Sequence, residues 1–217
     1  MAPSKKLPPI HNRAQPAQAR SSDTFELIVL STAQIVQEIG FDKLSTNRIC
    51  DRAGLTPPAL YRYFPNKYAI LRELGERLMK IQDDVVFNWS TDADLGSSPI
   101  DEQIAYNFEL NTRVVEATRN FPGSVGIMRA LRAIPALRST RLESRERVVE
   151  ALTADLRRTY RHVPLDRLRA ACRLTTEWGH ATIEMAVEEP EQNQDQILLE
   201  LARAVVIYYR SLADVPS

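Results

Sequence analysis

A chain of 217 residues is long enough for one large domain or two small ones with a buried core. Its 28 basic and 28 acidic side chains cancel, and a composition of 44% hydrophobic and 26% charged residues excludes a disordered or collagen-like chain. No apolar run approaches the ~18 residues of a membrane span, and two cysteines suit a reducing compartment. We therefore expect a cytoplasmic protein that does not enter a membrane.

The charge is distributed unevenly along the chain. Residues 1–70 hold nine basic and five acidic side chains, a net charge of +4, so the rest of the chain carries −4. A basic head and an acidic body indicate two different roles. Residues 1–22 are rich in proline and contain no acid, which predicts a flexible basic arm. Such an arm either adds contacts to a nucleic acid or serves as a solubilising tail.

Apolar residues recur with helical spacing along almost the whole chain, and no stretch shows the alternation of a β-strand. The pattern predicts an all-α fold with four short helices followed by about five longer ones. The fourth helix begins at Lys67 and has a predicted buried stripe that ends with Leu74, Leu78 and Ile81. The expected helical segments are 23–39, 46–53, 56–64, 67–81, 100–119, 124–133, 136–161, 165–188 and 194–213.

Small polar residues and glycines predict where the first helices begin and end. Gly40 and Gly54 follow the first two apolar stripes, as glycines commonly do at helix C-termini. Ser45, Thr56 and Asn66 precede the second, third and fourth helices. In that position a short polar side chain accepts a hydrogen bond from a free backbone N–H, so we expect all three to be N-caps.

The second and third helices have the spacing of a helix-turn-helix unit. Such a unit needs apolar residues facing a shared core, a small residue where the helices cross and a glycine in the turn. Cys50 is the small residue and Gly54 the turn, while an ordinary pair of antiparallel helices is the alternative interpretation. The predicted core positions are Ile49, Ala53, Leu55, Leu60 and Tyr63.

The residues around this unit decide between the two interpretations. Residues 60–67, LYRYFPNK, closely resemble the segment that spans the recognition helix in the tetracycline-repressor-like (TetR-type) transcriptional regulators. The other matching positions are Gly40, Phe41, Ser45, Ile49, Ala53 and Gly54. The resemblance extends over residues 24–70. It implies a three-helix DNA-binding head, residues 23–69, and a larger helical body, residues 70–217, that dimerises and often binds a small effector.

The resemblance implies that the third helix lies in the major groove of double-stranded DNA, which has the width of a helix. Leu60 and Phe64 would then point into the core. Pro57 and Pro58 remove two backbone donors, so recognition depends on side chains and on DNA shape. Lys67 matches the phosphate-contacting lysine of the family. The candidate DNA-contacting residues are Ser45, Thr46, Asn47, Thr56, Pro57, Pro58, Ala59, Tyr61, Arg62 and Lys67.

The body offers candidates for an effector site and little that points to catalysis. Seven bulky or charged side chains are candidate ligand-binding residues, with ordinary core packing as the alternative: Trp89, Tyr106, Phe108, Met128, Arg132, Trp178 and Met185. Arg132 would favour an anionic ligand. Glu177 and His180 have the spacing of a metal-binding pair, but the second pair of a di-iron site is missing. We expect no metal, no cofactor and no catalytic residue.

Together these features predict a homodimeric DNA-binding regulator that represses transcription and is released by a small-molecule effector. Two alternatives remain open. The first is a DNA-binding regulator without a small ligand, controlled by a protein partner. The second is a helical-bundle enzyme with a vestigial head.

Overall fold

The computed structural model describes residues 7–13, 19–89, 98–191 and 193–212, without the side chains of residues 19–21. Within these ranges every long element is an α-helix, which confirms the predicted all-α fold. A 3₁₀ turn, Pro135–Leu137, lies between the sixth and seventh helices. The helices are α1 Ala19–Ile39, α2 Thr46–Ala53, α3 Pro57–Tyr63, α4 Lys67–Asn88, α5 Ile100–Arg119, α6 Ser124–Ala133, α7 Arg138–Thr159, α8 Leu165–Glu188 and α9 Gln194–Ser211.

Two of the three predicted N-caps are confirmed. Ser45 Oγ accepts a hydrogen bond from the backbone N–H of Arg48 at 3.3 Å. Asn66 Oδ1 accepts from two backbone N–H groups in the first turn of α4, at 2.9 and 3.1 Å. Thr56 occupies the cap position of α3, but its side chain makes no cap hydrogen bond. That prediction was wrong because Pro58 has no N–H to donate and the N–H of Ala59 donates to the backbone carbonyl of Thr56 at 3.0 Å.

The described residues form two compact units. The first contains the chain up to Met79 together with Phe121–Leu142, and the second contains Lys80–Asn120 and the chain from Glu143 onward. The first unit therefore contains α1, α2, α3, the first part of α4 and α6. Helix α6 packs against α1 so closely that a Cβ on Gly126 would lie 2.5 Å from Val36 Cγ1.

The core of the first unit is aromatic where α1 meets α3. The rings of Phe25 and Phe64 are stacked with their centroids 4.8 Å apart, and Tyr63 packs edge to face with Phe25 at a centroid distance of 6.1 Å. Aromatic pairs of this geometry add about 0.5–1.5 kcal/mol beyond the burial of their surface. They hold α3 against α1 and so set the direction of its outer face.

The second unit is built from α5, α8 and α9 with parts of α4 and α7. Its core includes a buried polar group on α4, the carboxylate of Asp83. Ser144 donates to Oδ1 at 2.7 Å and Arg147 donates to Oδ2 at 2.7 Å. Burial raises the pKa of Asp83 despite these partners. No helix in the described part of the chain is long and apolar enough to cross a membrane.

Candidate functional site

A left-handed glycine forms the turn between α2 and α3. Gly54 has φ +63° and ψ +34°, a conformation that costs a residue with a side chain about 1–2 kcal/mol. The chain then reverses, and the N–H of Leu55 donates to the carbonyl of Cys50 at 2.9 Å. This hydrogen bond satisfies a free carbonyl at the end of α2 and fixes the angle at which α3 leaves.

The inner face of the two helices agrees with the sequence pattern. Ile49, Cys50 and Ala53 of α2 are buried, as are Leu60, Tyr63 and Phe64 at the C-terminal end of α3. Leu55 in the turn is only half-buried, so this single core position was predicted wrongly. The buried residues are the positions that a helix-turn-helix unit needs for its shared core.

The outer face of α3 is exposed and contains no acidic residue. Ala59 is half-buried, and the other five candidates on this face are exposed: Thr56, Pro57, Pro58, Tyr61 and Arg62. The guanidinium of Arg62 lies 5.4 Å from the ring centre of Tyr63, which restricts the side chain without burying it. The face therefore presents a phenol hydroxyl, a cation and a threonine to solvent.

The candidate residues of α2 lie beside this face. Ser45 and Thr46 are half-buried and Asn47 is exposed. The hydroxyl groups of Thr46 and Tyr61 are 3.1 Å apart and share a hydrogen bond, so the structure brings one candidate from each helix together. A phosphate placed there would meet both hydroxyls.

Lys67 is partly engaged within the protein. Its Nζ donates to the carbonyl of Leu44 at 2.8 Å and lies 5.6 Å from the ring centre of Tyr68. An ammonium has three donors, so this contact ties the start of α4 to the loop before α2 and leaves donors for other acceptors. Contact between Lys67 and a phosphate stays a prediction.

The end of α3 is held by a residue that sequence reasoning did not single out. The backbone N–H of Arg13 donates to the carbonyl of Tyr63 at 2.7 Å, and its guanidinium donates to the carbonyl of Tyr61 at 3.3 Å. These carbonyls have no partner inside a seven-residue helix. A basic residue in an acid-free segment was the only signal for this role.

The rest of residues 7–13 contacts α4 and the residue before it. Asn66 Nδ2 donates to the carbonyl of Pro9 at 2.8 Å, and Asn12 Nδ2 donates to Glu73 at 2.8 Å. The predicted basic arm also includes Lys5, Lys6 and the side chain of Arg20, which lie outside the described residues.

The second unit contains a cavity of about 120 Å³ between α4, α5, α7, α8 and α9. About half of the lining residues are valine, leucine and isoleucine. The amide, hydroxyl and imidazole groups among them belong to Gln82, Asn107, Asn111, Thr175, Thr176, His180 and Tyr209. A mostly apolar cavity with a few polar groups is the usual form of a small-molecule site.

The seven candidate ligand-binding residues do not form one site, and none of them lines this cavity. Trp89 pairs with Tyr106, whose hydroxyl donates to the Trp89 carbonyl at 2.5 Å, and Trp178 pairs with Tyr208. Met185 is exposed and Phe108 half-buried, while Met128 and Arg132 belong to the first unit. The sequence analysis selected large side chains, whereas the wall contains mainly aliphatic and amide side chains. Which of these face the cavity depends on how the helices pack, and the sequence does not show that.

Glu177, considered above as half of a metal pair, is engaged with arginines. Its carboxylate lies 3.2 Å from Arg145 Nε and 3.4 Å from Arg173 Nη2. Among the described residues no group of three or more histidine, cysteine and carboxylate side chains is arranged to hold a metal ion.

The geometry of α2, α3 and their glycine turn defines a helix-turn-helix domain, the class of fold that places its second helix in the major groove of DNA. Residues 28–74 match the family model of bacterial regulatory proteins, tetR family. The chain is 34% identical over 56 residues to the tetracycline repressor protein class C of Escherichia coli, and it aligns with only 26% of that relative's length. Residues 28–74 are therefore similar to the DNA-binding segment of the TetR family, and the resemblance seen in the sequence is confirmed.

Solved structures share the fold over most of the chain. A tetR-family transcriptional regulator from Streptomyces coelicolor is similar with a TM-score of 0.63 at 16% identity, over 89% of this chain and 86% of that one. A transcriptional regulator from Rhodococcus sp. Rha1 has a TM-score of 0.65 at 13% identity, over 89% and 99% of the two chains. At this identity the likeness concerns the fold.

Proposed function

We propose that the protein is a DNA-binding transcriptional regulator, a repressor that acts in the cytoplasm as a homodimer and leaves its operator when a small molecule binds. The observation that carries the DNA-binding role is the outer face of α3. It is exposed, free of acidic residues and presents Tyr61 and Arg62 beside the hydroxyl of Thr46. The matched family and the basic charge of residues 1–70 support the same role.

A binding-site selection on random double-stranded DNA tests this proposal. We expect the purified chain to enrich one sequence made of two related half-sites, because a dimer presents two α3 helices to the DNA. Gel shifts on the enriched sequence then measure affinity at fixed salt concentration. Failure to enrich any sequence would contradict the proposal and favour a helical-bundle protein with a vestigial head.

Helices α8 and α9 provide the surface for the proposed dimer. Leu174, Trp178, Ala181 and Met185 recur at helical spacing on one face of α8, and all but the half-buried Trp178 are exposed. Ile207 on α9 is 57% exposed. An apolar stripe of this kind on a soluble helix is expected to pack against a partner, and two copies of α8 and α9 would form a four-helix interface.

Replacing Leu174 with glutamate should therefore dissociate the dimer at micromolar concentration. A buried, unpaired carboxylate at the interface costs several kcal/mol of association free energy. At micromolar concentration this loss is enough to convert most dimers to monomers. Sedimentation should then report one chain of 24.6 kDa instead of two. Leu165→Glu is the matched control: Leu165 is 56% exposed on the same helix but lies about two and a half turns from Leu174, on the opposite face. Equal behaviour of the two variants would contradict the assignment of the interface.

Helix α4 is the element through which a ligand would act in this proposal. It starts at Lys67, beside the candidate DNA interface, and carries Gln82, Asp83 and Val86 to the cavity wall. A ligand that binds better to one position of α4 shifts the protein toward that position and changes its affinity for DNA. Control by a protein partner instead would leave DNA affinity insensitive to every ligand of the cavity.

A further inference from the structure

Two residues that line the cavity of the second unit each carry a buried polar atom with no hydrogen-bond partner. Gln82 is 2% exposed, and its Oε1 is unpartnered while its Nε2 donates to Thr118 Oγ1 at 2.8 Å. Thr176 is 7% exposed, and its Oγ1 is unpartnered as well. A buried polar group without a hydrogen-bond partner destabilises a protein. A ligand or a water molecule that hydrogen-bonds to either atom therefore stabilises the folded state.

Two asparagines of α5 add acceptors to the same wall. Asn107 Nδ2 donates to the carbonyl of Gln103 at 3.0 Å, and Asn111 Nδ2 donates to the carbonyl of Asn107 at 2.7 Å. Each Nδ2 has two N–H groups and gives one of them to its own helix, so each asparagine keeps an amide oxygen as an acceptor and one N–H as a donor. Together with Gln82 and Thr176 they give a wall with both acceptors and donors, which suits a ligand group that can do both.

The wall disfavours an anion, because the imidazole of His180 is the only basic side chain among the described lining residues. No lysine or arginine is among the lining residues in the described part of the chain, and Arg132, from which an anionic ligand was expected, belongs to the first unit. The carboxylate of Asp83 is already held by Ser144 and Arg147 and so offers no free counter-charge to a cation. A charged ligand would therefore lose its hydration without a partner.

The size of the cavity limits the ligand further. At about 120 Å³ it is somewhat smaller than a protein cavity of about 150 Å³ that holds benzene. A compact molecule with one ring or a short aliphatic chain fills this space against the valine, leucine and isoleucine side chains.

We propose that the cavity binds a small, uncharged and mostly apolar alcohol whose hydroxyl donates to Gln82 Oε1 and accepts from Thr176 Oγ1. The proposal names the ligand class for the effector site and so rests on the proposed function. A hydroxyl suits these two atoms because it is both a donor and an acceptor. The apolar remainder of the ligand is transferred from water to the aliphatic side chains of the cavity wall, which is favourable.

The first experiment compares three probes of similar size on the purified full chain without DNA: benzyl alcohol, toluene and benzoate. Titration calorimetry and the thermal unfolding midpoint measure binding. We expect benzyl alcohol to bind about 100-fold more tightly than toluene, because it makes two hydrogen bonds worth about tenfold each, and we expect benzoate not to bind. Tighter binding of benzoate or toluene, or binding of none of the three, would overturn the proposed ligand class.

Variants test which atoms hold the hydroxyl. Thr176→Val and Gln82→Leu should each weaken benzyl alcohol about tenfold and leave toluene unchanged. Thr176→Val removes an unpartnered polar atom, so its unfolding midpoint should stay equal or rise. Gln82→Leu also removes the hydrogen bond from Nε2 to Thr118, so its midpoint should fall. Thr140→Val is the matched control, because Thr140 is also buried with an unpartnered hydroxyl but does not line the cavity. If neither cavity variant changes the affinity for benzyl alcohol, the hydroxyl is not bound there and the proposal fails.

The effector role is tested separately on the selected operator. If benzyl alcohol binds the chain but leaves its affinity for the operator unchanged, the ligand class stands and release by a ligand is wrong. If benzoate alone binds and releases the operator, release stands and the ligand class is wrong.

Discussion

Replacing Arg62 with alanine is expected to lower the affinity for the selected operator between about 5- and 150-fold, the value of one good contact to a base edge. Arg62 is exposed on α3, where its charge points away from the buried Leu60 and Phe64. Removal of the side chain therefore leaves the core intact, and helicity and the unfolding midpoint should not change. Gel shift or fluorescence anisotropy at a fixed salt concentration measures the effect.

Arg158→Ala is the matched control for the loss of one exposed positive charge. Arg158 lies on α7 in the second unit with its side chain 81% exposed. We expect this variant to bind the operator as the unmodified chain does. Tyr61→Phe would reveal whether the hydroxyl shared with Thr46 also reaches DNA. If Arg62→Ala binds as tightly as Arg158→Ala, α3 does not enter the groove as proposed.

Replacing Gly123 with alanine is expected to destabilise the first unit by about 2–5 kcal/mol. The residue has φ +74°, and a Cβ would lie 2.6 Å from the carbonyl oxygen of Ala33 in α1. The left-handed conformation costs an alanine about 1–2 kcal/mol, and the overlap with a backbone atom adds about 1–3 kcal/mol, because backbone yields less than a side chain. Urea unfolding measures the loss as a lower midpoint at an unchanged slope.

Gly40→Ala separates the two causes. Gly40 also has a positive φ, +78°, but no heavy atom outside its immediate chain neighbours lies within 4 Å of the position that its Cβ would take. Only the conformational cost should appear, about 1–2 kcal/mol. If Gly123→Ala and Gly40→Ala lower the free energy of unfolding equally, the close approach of residue 123 to α1 does not contribute to the loss.

The helix-turn-helix head could be derived from the sequence almost completely, because its signals are local. The caps Ser45 and Asn66 act within three residues of their own positions, and the conformation of Gly54 follows from its place in the turn. The failed cap at Thr56 was also a local matter, since the prolines that follow are visible in the sequence. The role of Arg13 was not visible, because it contacts carbonyls about 50 residues away in the chain.

The composition of the cavity wall could only be decided by the tertiary structure. Helical spacing allows either Ile81 or Gln82 to continue the apolar stripe of α4 after Leu78, and hydrophobicity favours Ile81. The structure exposes 37% of Ile81 and buries Gln82 against Thr118 of α5. Periodicity determines that a helix has an inner face, but which of two adjacent residues occupies it depends on the neighbouring helices. For that reason the sequence predicted the helices and the exposed face of α3 well, whereas the polar residues of the cavity wall appeared only once α4, α5 and α8 were packed together.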